Sequence, residues 1–289
     1  CYPVSGKEEI MEKNSEESIE RVLSCIEENL FRKPDLNMAA HAAHYSRYHL
    51  HRMFTRMTGM PLYSYTERRR LTEAAKLLVY SQKPILEITL LCGYESQQAF
   101  TGAFRSMYKL PPAAFRRRKE FYPLQLPIRL AGKETDAKAA ASFLRPAEMA
   151  DIPEWMELVR QAADGLPCLN EIQHKKILTD FIQKGRAFLI KPEGEAAGAM
   201  GFSPESGHID FLVIHPRYRN SSLEGAFLEM LRSESLPERP ISITTYRQND
   251  RADTGHRKRL LQLGFGEGEL LFEFGYPTQR LVFPPSKTR

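Results

Sequence analysis

Two short stretches of this chain carry side chains whose types and spacing suit the reading of a nucleic-acid base edge. Arg47, Tyr48, His51 and Arg52 fall close together, and so do Gln97, Gln98, Thr101 and Arg105. Arg can bond guanine through two parallel hydrogen bonds, and Gln can do the same for adenine. Arg56, Arg68, Arg69, Arg70 and the Arg-Arg-Arg-Lys run at 116–119 are cations of the kind that hold phosphates. Such contacts position a protein on a duplex without carrying sequence information. Taken singly, each of these residues could equally belong to a solvated polar face, so the elements that carry them must decide.

Those elements repeat. YSRYHLHRMFTRMTGMP (45–61) and ESQQAFTGAFRSMYKLPP (95–112) superpose at a spacing of 50 residues, Ser46 on Ser96, Leu50 on Phe100 and Phe54 on Phe104. Each Ser can cap a helix N-terminus. Leu50, Met53, Phe54 and Met57 sit at i, i+3, i+4 and i+7, and Phe100, Ala103, Phe104 and Met107 repeat that stripe. A shorter apolar helix precedes each, at 36–43 and 84–93, giving the helix, tight turn, capped helix plan twice. Gly93 suits a left-handed turn residue, and His44 takes its place in the first unit. Between the units, LYSYTERRRLTEAAKLLVYS (62–81) reads as one amphipathic helix with Leu71, Ala74, Ala75 and Leu78 inward.

Charge follows the same division. The chain of 289 residues has a formal net charge of +5. Residues 1–35 carry −4, residues 36–119 carry +10 and residues 120–289 carry −1. All the excess positive charge therefore lies in the segment holding the two units, the footprint expected of a nucleic-acid-binding domain. Cys1, Cys25, Cys92 and Cys168 lie far apart with no metal-ligand spacing, a pattern of reduced cytosolic thiols. No apolar run approaches the roughly 20 residues that span a bilayer. The opening CYPVSGKEEIMEKNSEES has no secretory pattern, and Met11 reads as a natural first residue rather than Cys1 as a lipid-bearing one.

The signatures SRYHLHRMFTRMTG, YTERRRLTEAAKLL and CGYESQQAFTGAFRSMYKLPPAAFRR make residues 17–119 resemble the DNA-binding domain of the AraC/XylS family of bacterial regulators. The resemblance implies two recognition helices in successive major-groove segments, roughly one turn apart, both supplied by one chain. By motif position the base readers fall on Tyr48, His51 and Arg52 and on Gln97 and Gln98. Arg47, Arg56, Arg68, Arg69, Thr101, Arg105 and Arg116 are the expected phosphate contacts. Gly102 stands where close relatives of this motif carry an Arg on the reading face.

Residues 1–16 are acidic and polar and read as loose, helical periodicity starts near Ser18, and Pro123, Pro127 and Gly132 mark a linker over 120–142. Beyond it, helices are expected at 152–163, 171–184, 221–232 and 252–263. Strands are expected at 143–146, 187–191, 196–203, 208–214, 240–246, 269–275 and 279–283. That is an α/β or α+β domain over 143–285, following an all-α tandem helix-turn-helix domain. FLRPAEMADIPEWMELV, HIDFLVIHPRYRNSSLEGAFLEML and RKRLLQLGFGEGELLFEF make it resemble the GNAT acetyltransferase superfamily.

That resemblance implies an acetyl-CoA site in which Ile214 ends a strand and Arg219, Asn220, Ser221, Ser222, Leu223 and Glu224 form the pyrophosphate turn. Helix N-termini hold such anions through free N–H groups. Ser222 and Glu224 replace the family's glycines, and Leu260 occupies the position of its general-acid Tyr. His208, Asp210 and His215 are the candidate bases. The favoured reading is a cytoplasmic DNA-binding regulator whose second domain senses a ligand or binds a partner. The alternative is an active acetyl-CoA-dependent N-acetyltransferase fused to a DNA reader. Double-stranded DNA is the expected partner, and a small effector or acyl-CoA, RNA polymerase, and a monomer or dimer all remain open.

Overall fold

A computed structural model describes residues 5–32, 40, 45–128, 130, 137–162, 171–192, 195–219, 221, 223–273 and 275–285. The expected helix at 36–43 and the turn residue His44 lie almost wholly outside these. Helix α1 runs Ser5–Glu28. It starts well before Ser18, so most of the stretch expected to be loose is helical; a polar helical segment has no apolar period to betray it. Its last turns bury Ile19, Val22, Leu23 and Ile26.

The two repeated stretches form α2 (Arg47–Thr58) and α5 (Gln97–Tyr108). Ser46 Oγ accepts from the N–H of His49 at 3.3 Å, and Ser96 Oγ accepts from that of Ala99 at 3.2 Å. Between them, α3 (Leu62–Tyr80) is the connecting helix and α4 (Ile85–Leu91) opens the second unit. Gly93 takes φ +75°, the left-handed turn its place required. α6 (Pro112–Arg118) closes the helical half. α1, α2 and the start of α3 share one core around Phe54 and Tyr65. The end of α3, α5 and α6 share another around Phe100, Phe104, Tyr108 and Phe115.

The expected linker is a packed strap where it is described. Tyr122, Leu124, Gln125, Ile128 and Leu130 are buried, and Thr72 Oγ1 accepts from the N–H groups of Leu124 and Gln125 at 3.1 Å each. Pro123 and Pro127 fall in non-helical chain, as expected, that is packed against the helices.

After α7 (Ala137–Ala141) comes the second domain. Its elements are β1 (Leu144–Pro146), α8 (Ile152–Ala162), α9 (Glu171–Gln183), β2 (Ala187–Ile190), β3 (Gly198–Ser203) and β4 (His208–Ile214). Then follow α10 (Leu223–Met230), β5 (Ile241–Tyr246), α11 (His256–Gln262), β6 (Gly266–Glu273) and β7 (Tyr276–Phe283). A π-helical turn, Leu231–Ser235, extends α10, and α11 starts later than periodicity suggested because Gly255, at φ +94°, is left-handed and cannot belong to the helix. The strands form one sheet in the order β1-β2-β3-β4-β5-β7-β6. Every neighbouring pair is antiparallel except β4–β5, which is parallel and registered only at His208↔Ser242 and Ile209↔Ile243. Beyond that point the two strands part, and a cleft opens between them. Cores on both faces of the sheet cover it, one with α10 and one with α8 and α9.

Candidate nucleic-acid interface

On α2, burial of Leu50, Met53 and Phe54 forces Arg47, Tyr48, His51 and Arg52 outward, where all four are exposed. Tyr48 is 73% exposed, and the Arg52 guanidinium lies 5.7 Å from its ring centroid. On α5, burial of Phe100, Ala103, Phe104 and Met107 turns Gln97, Gln98 and Arg105 outward and leaves Thr101 half-buried. A Cβ built on Gly102 would meet nothing within 4 Å, so this turn of α5 presents bare backbone to the same side. Arg56 and the run Arg117, Arg118 and Lys119 are also exposed. All five expected base readers are thus presented on two capped helices, one per unit.

The expected phosphate contacts divide. Arg47, Arg56, Arg105 and, partly, Thr101 are accessible. Arg68 and Arg69 are not, being 1% and 4% exposed. Arg69 Nη2 meets Glu27 Oε2 at 2.7 Å and Glu73 Oε1 at 3.2 Å, and Nη1 donates to the Gln125 carbonyl. Arg68 donates to the carbonyls of Leu124 and Ala252, each at 3.0 Å. Arg70, also buried, donates to the carbonyls of Leu30 and Arg32. Arg116, half-buried, donates to those of Leu78 and Lys83. These guanidiniums hold the strap and the chain ends against the helices, because buried carbonyls need donors and Arg offers five in a planar fork. Arg68, Arg69 and Arg70 are buried and structural, and the expectation that they meet phosphate is corrected, whereas Arg116 is only half-buried.

In the second domain the pyrophosphate turn is built otherwise than the acetyltransferase resemblance implied. Arg219 is 1% exposed; its Nη2 donates to the Ala162 carbonyl, and its stem lies against Gly59 of the helical half. Ile214 and Leu223 are buried in the sheet core. Ser221 Oγ donates to the Tyr218 carbonyl, while Asn220 and Ser222 lie outside the described residues. Glu224 is buried, paired with Arg259 at 2.8 Å, and burial raises its carboxyl above the ordinary range. The Arg219 guanidinium is thus turned to the Ala162 carbonyl, and the helix that follows the turn opens on a carboxylate, which is unfavourable for an anion at its N-terminus.

Of the candidate bases, His215 is locked. Its Nδ1 accepts from the N–H of Arg217 and its Nε2 bonds Gln161 Oε1 at 2.9 Å. Burial, with Arg217 and Arg219 nearby, pushes its pKa down to about 4. His208 and Asp210 do line the β4–β5 cleft, with Thr244, Tyr246, Glu273 and Tyr276 among the other walls. His208 is bonded to Ser242 Oγ and Asp210 to Ser203 Oγ, and burial lowers the imidazole's pKa. Leu260 is buried, as its apolar character demands, and Trp155 packs inside the domain with its indole N–H on His174. Cys92 is buried and its thiol is pushed up to about 12, chiefly by burial, so it is no nucleophile. Among the described residues no cluster of ligands could hold a metal ion, and no helix is long and apolar enough to cross a membrane.

Sequence reasoning missed the residues that join the two halves. Lys109, the left-handed cap that ends α5, bonds Asp250 of the second domain at 2.5 Å. Tyr246, Ala252 and Tyr276 complete the core around Phe104. No local pattern could have announced these pairs, because the partners lie more than a hundred residues apart in sequence.

Residues 39–118 match a family profile described as a helix-turn-helix domain. The chain is 42% identical over 101 residues to the transposon Tn10 TetD protein of Escherichia coli, covering 35% of this chain and 73% of that one. It is 27% identical over 168 residues to YbfP of Bacillus subtilis, described as an uncharacterized HTH-type transcriptional regulator, covering 50% of this chain and 57% of that protein. The match therefore spans little more than half of YbfP's length. A crystal structure of a GNAT-family acetyltransferase from Bacillus cereus aligns with 50% of this chain and 97% of its own, at 15% identity and a TM-score of 0.40.

Proposed function

The chain belongs to the AraC-type helix-turn-helix family of DNA-binding regulators, and on that premise we propose that it is a sequence-specific cytoplasmic regulator of transcription. α2 and α5 enter successive major-groove segments on one face of the duplex. Tyr48, His51 and Arg52 read bases in one half-site, and Gln97 and Gln98 read them in the other. Arg47, Arg56 and Arg105 hold phosphates, with Thr101 beside them. The observation that carries this reading is the pair of capped helices whose buried stripes turn the base-reading side chains into the open. The second domain is a sensing or partner-binding module, and its β4–β5 cleft is where a small ligand would lodge. The altered turn at Arg219 and Glu224 supports that role over acetyl transfer.

Duplexes selected from a random pool by the full chain test the reading. Binding should exceed that to shuffled duplexes and fall about fortyfold between about 50 and 200 mM salt, as for about three phosphate contacts. Equal affinity for selected and shuffled duplexes would contradict it.

A further inference from the structure

The two reading helices end alike, and the second domain holds both ends. Gly59, at φ +71°, caps α2, and Lys109, at φ +61°, caps α5. A Cβ on Gly59 would lie 2.6 Å from Arg219 Cδ and 2.7 Å from its Cβ, so the first cap is seated on the arginine's stem with no room between. Arg217, in the same turn, pairs with Glu16 of α1 at 3.1 Å. At the second cap, Lys109 Nζ bonds Asp250 and the Ser106 carbonyl and lies 5.4 Å and 5.6 Å from the rings of Tyr246 and Tyr276. A left-handed lysine is costly by roughly 1 kcal/mol, and this set of partners for its ammonium is what the second domain supplies. Arg251 to Glu67 and Arg68 to the Ala252 carbonyl brace the same loop.

The two grips come from equivalent places in the sheet. The turn bearing Arg219 follows β4, and the loop bearing Asp250 follows β5. β4 and β5 are the parallel pair, so both turns leave the same edge of the sheet. The grips therefore stand on the two sides of the β4–β5 cleft, and their separation is the spread of the two strands that diverge from the His208 and Ile209 pairing. α3 joins the helices on one side and the sheet bridges them on the other.

We propose that the second domain acts as a caliper, fixing the separation of the two reading helices, with Arg219 and Lys109 as the positioning residues that set the half-site spacing the chain accepts. This rests on the DNA-reading function above. Neither residue touches DNA: each acts through the helix cap it holds, at the end of the helix opposite the N-terminal residues that reach base edges.

The test uses the full chain on its selected duplex and on versions with one base pair added or removed between half-sites. The unaltered chain should lose about tenfold or more on respaced duplexes, as for one lost bidentate base contact. Lys109→Gly keeps the left-handed cap and removes the ammonium, and Arg219→Ala removes the stem on which Gly59 is seated. Both should cut the respacing loss to about threefold or less, with base preferences within each half-site unchanged. Asp250→Asn, nearly isosteric, releases the same lysine and decides the matter where either of the others fails to fold. Folded variants with the unaltered spacing profile would overturn the caliper, as would an unaltered chain indifferent to spacing. Failure of the unaltered chain to prefer its selected duplex would overturn the DNA-reading function itself.

Discussion

The two helix-turn-helix units share a plan and differ in what closes their cores. The first is closed from within the helical half, by Ile19, Val22 and Leu23 of α1 and by Ile128 and Leu130 of the strap. The second is closed partly from outside, by Tyr246, Ala252 and Tyr276 of the sheet domain. Their caps differ in the same sense. Gly59 leaves space for a neighbour's stem, whereas Lys109 reaches out to a neighbour's carboxylate. Equal geometry is thus reached once by fit and once by charge. The second unit consequently answers to the sheet domain in a way the first does not.

That asymmetry can be broken most forcefully at Tyr276, 7% exposed and shared between the cleft wall and the second unit's core. Tyr276→Ala should destabilise the chain by about 3 kcal/mol, as for a buried aromatic truncation. Amide exchange should then rise in 97–118 and stay unchanged in 47–58, because a helix opens locally where its own packing is weakened. Equal rises in both units would erase the asymmetry.

Acid should act on the opposite unit. His215 begins the turn that grips α2, and it stays neutral down to about 4 in the fold, against 6.5 ordinarily. An unfolded chain takes that proton first, so its contribution is complete above pH 6.5 and is lost as pH falls from there to about 4. The loss is about 3 kcal/mol. Urea melts across that window should flatten in His215→Gln relative to the unaltered chain, and exchange in α2 should rise before exchange in α5. A parallel fall in both proteins would discharge His215 from this role.

Arg69 and Arg105 sharpen the contrast between arginines that hold the fold and arginines that face outward. Arg69→Ala strands Glu27 and should cost about 2 kcal/mol of stability, less than for a fully buried pair because Glu27 is 26% exposed. Its salt dependence of DNA binding should not change. Arg105→Ala should leave the melting curve in place and lower the salt slope by about one. The reverse pattern would restore Arg69 to the phosphates.

These arginines also mark where the sequence stops being legible. Ser46, Ser96, Gly93 and the apolar stripes act through neighbours within a turn or two, so spacing alone exposes them and the reading faces opposite. The strand at 208–214 is visible for the same local reason. An Arg on an amphipathic helix reads as solvated, and its burial depends on partners such as Glu27, Leu124 and Ala252, between 42 and 184 residues away. The retained Arg219 is visible as a residue type, but its use beneath Gly59 depends on docking of the two halves. The edge strand β6 starts a few residues earlier than its pattern suggests, because its largely exposed side chains give no clear alternation.

The central claim is that each half-site has its own reader. Selection from random duplexes by the unaltered chain, Arg52→Ala and Gln98→Ala measures it directly. Each substitution should relax base preference by about 1 to 3 kcal/mol, at positions in one half-site only and in different half-sites for the two variants. Preferences that relax together across the whole site, or not at all, would contradict the assignment of one half-site to α2 and the other to α5.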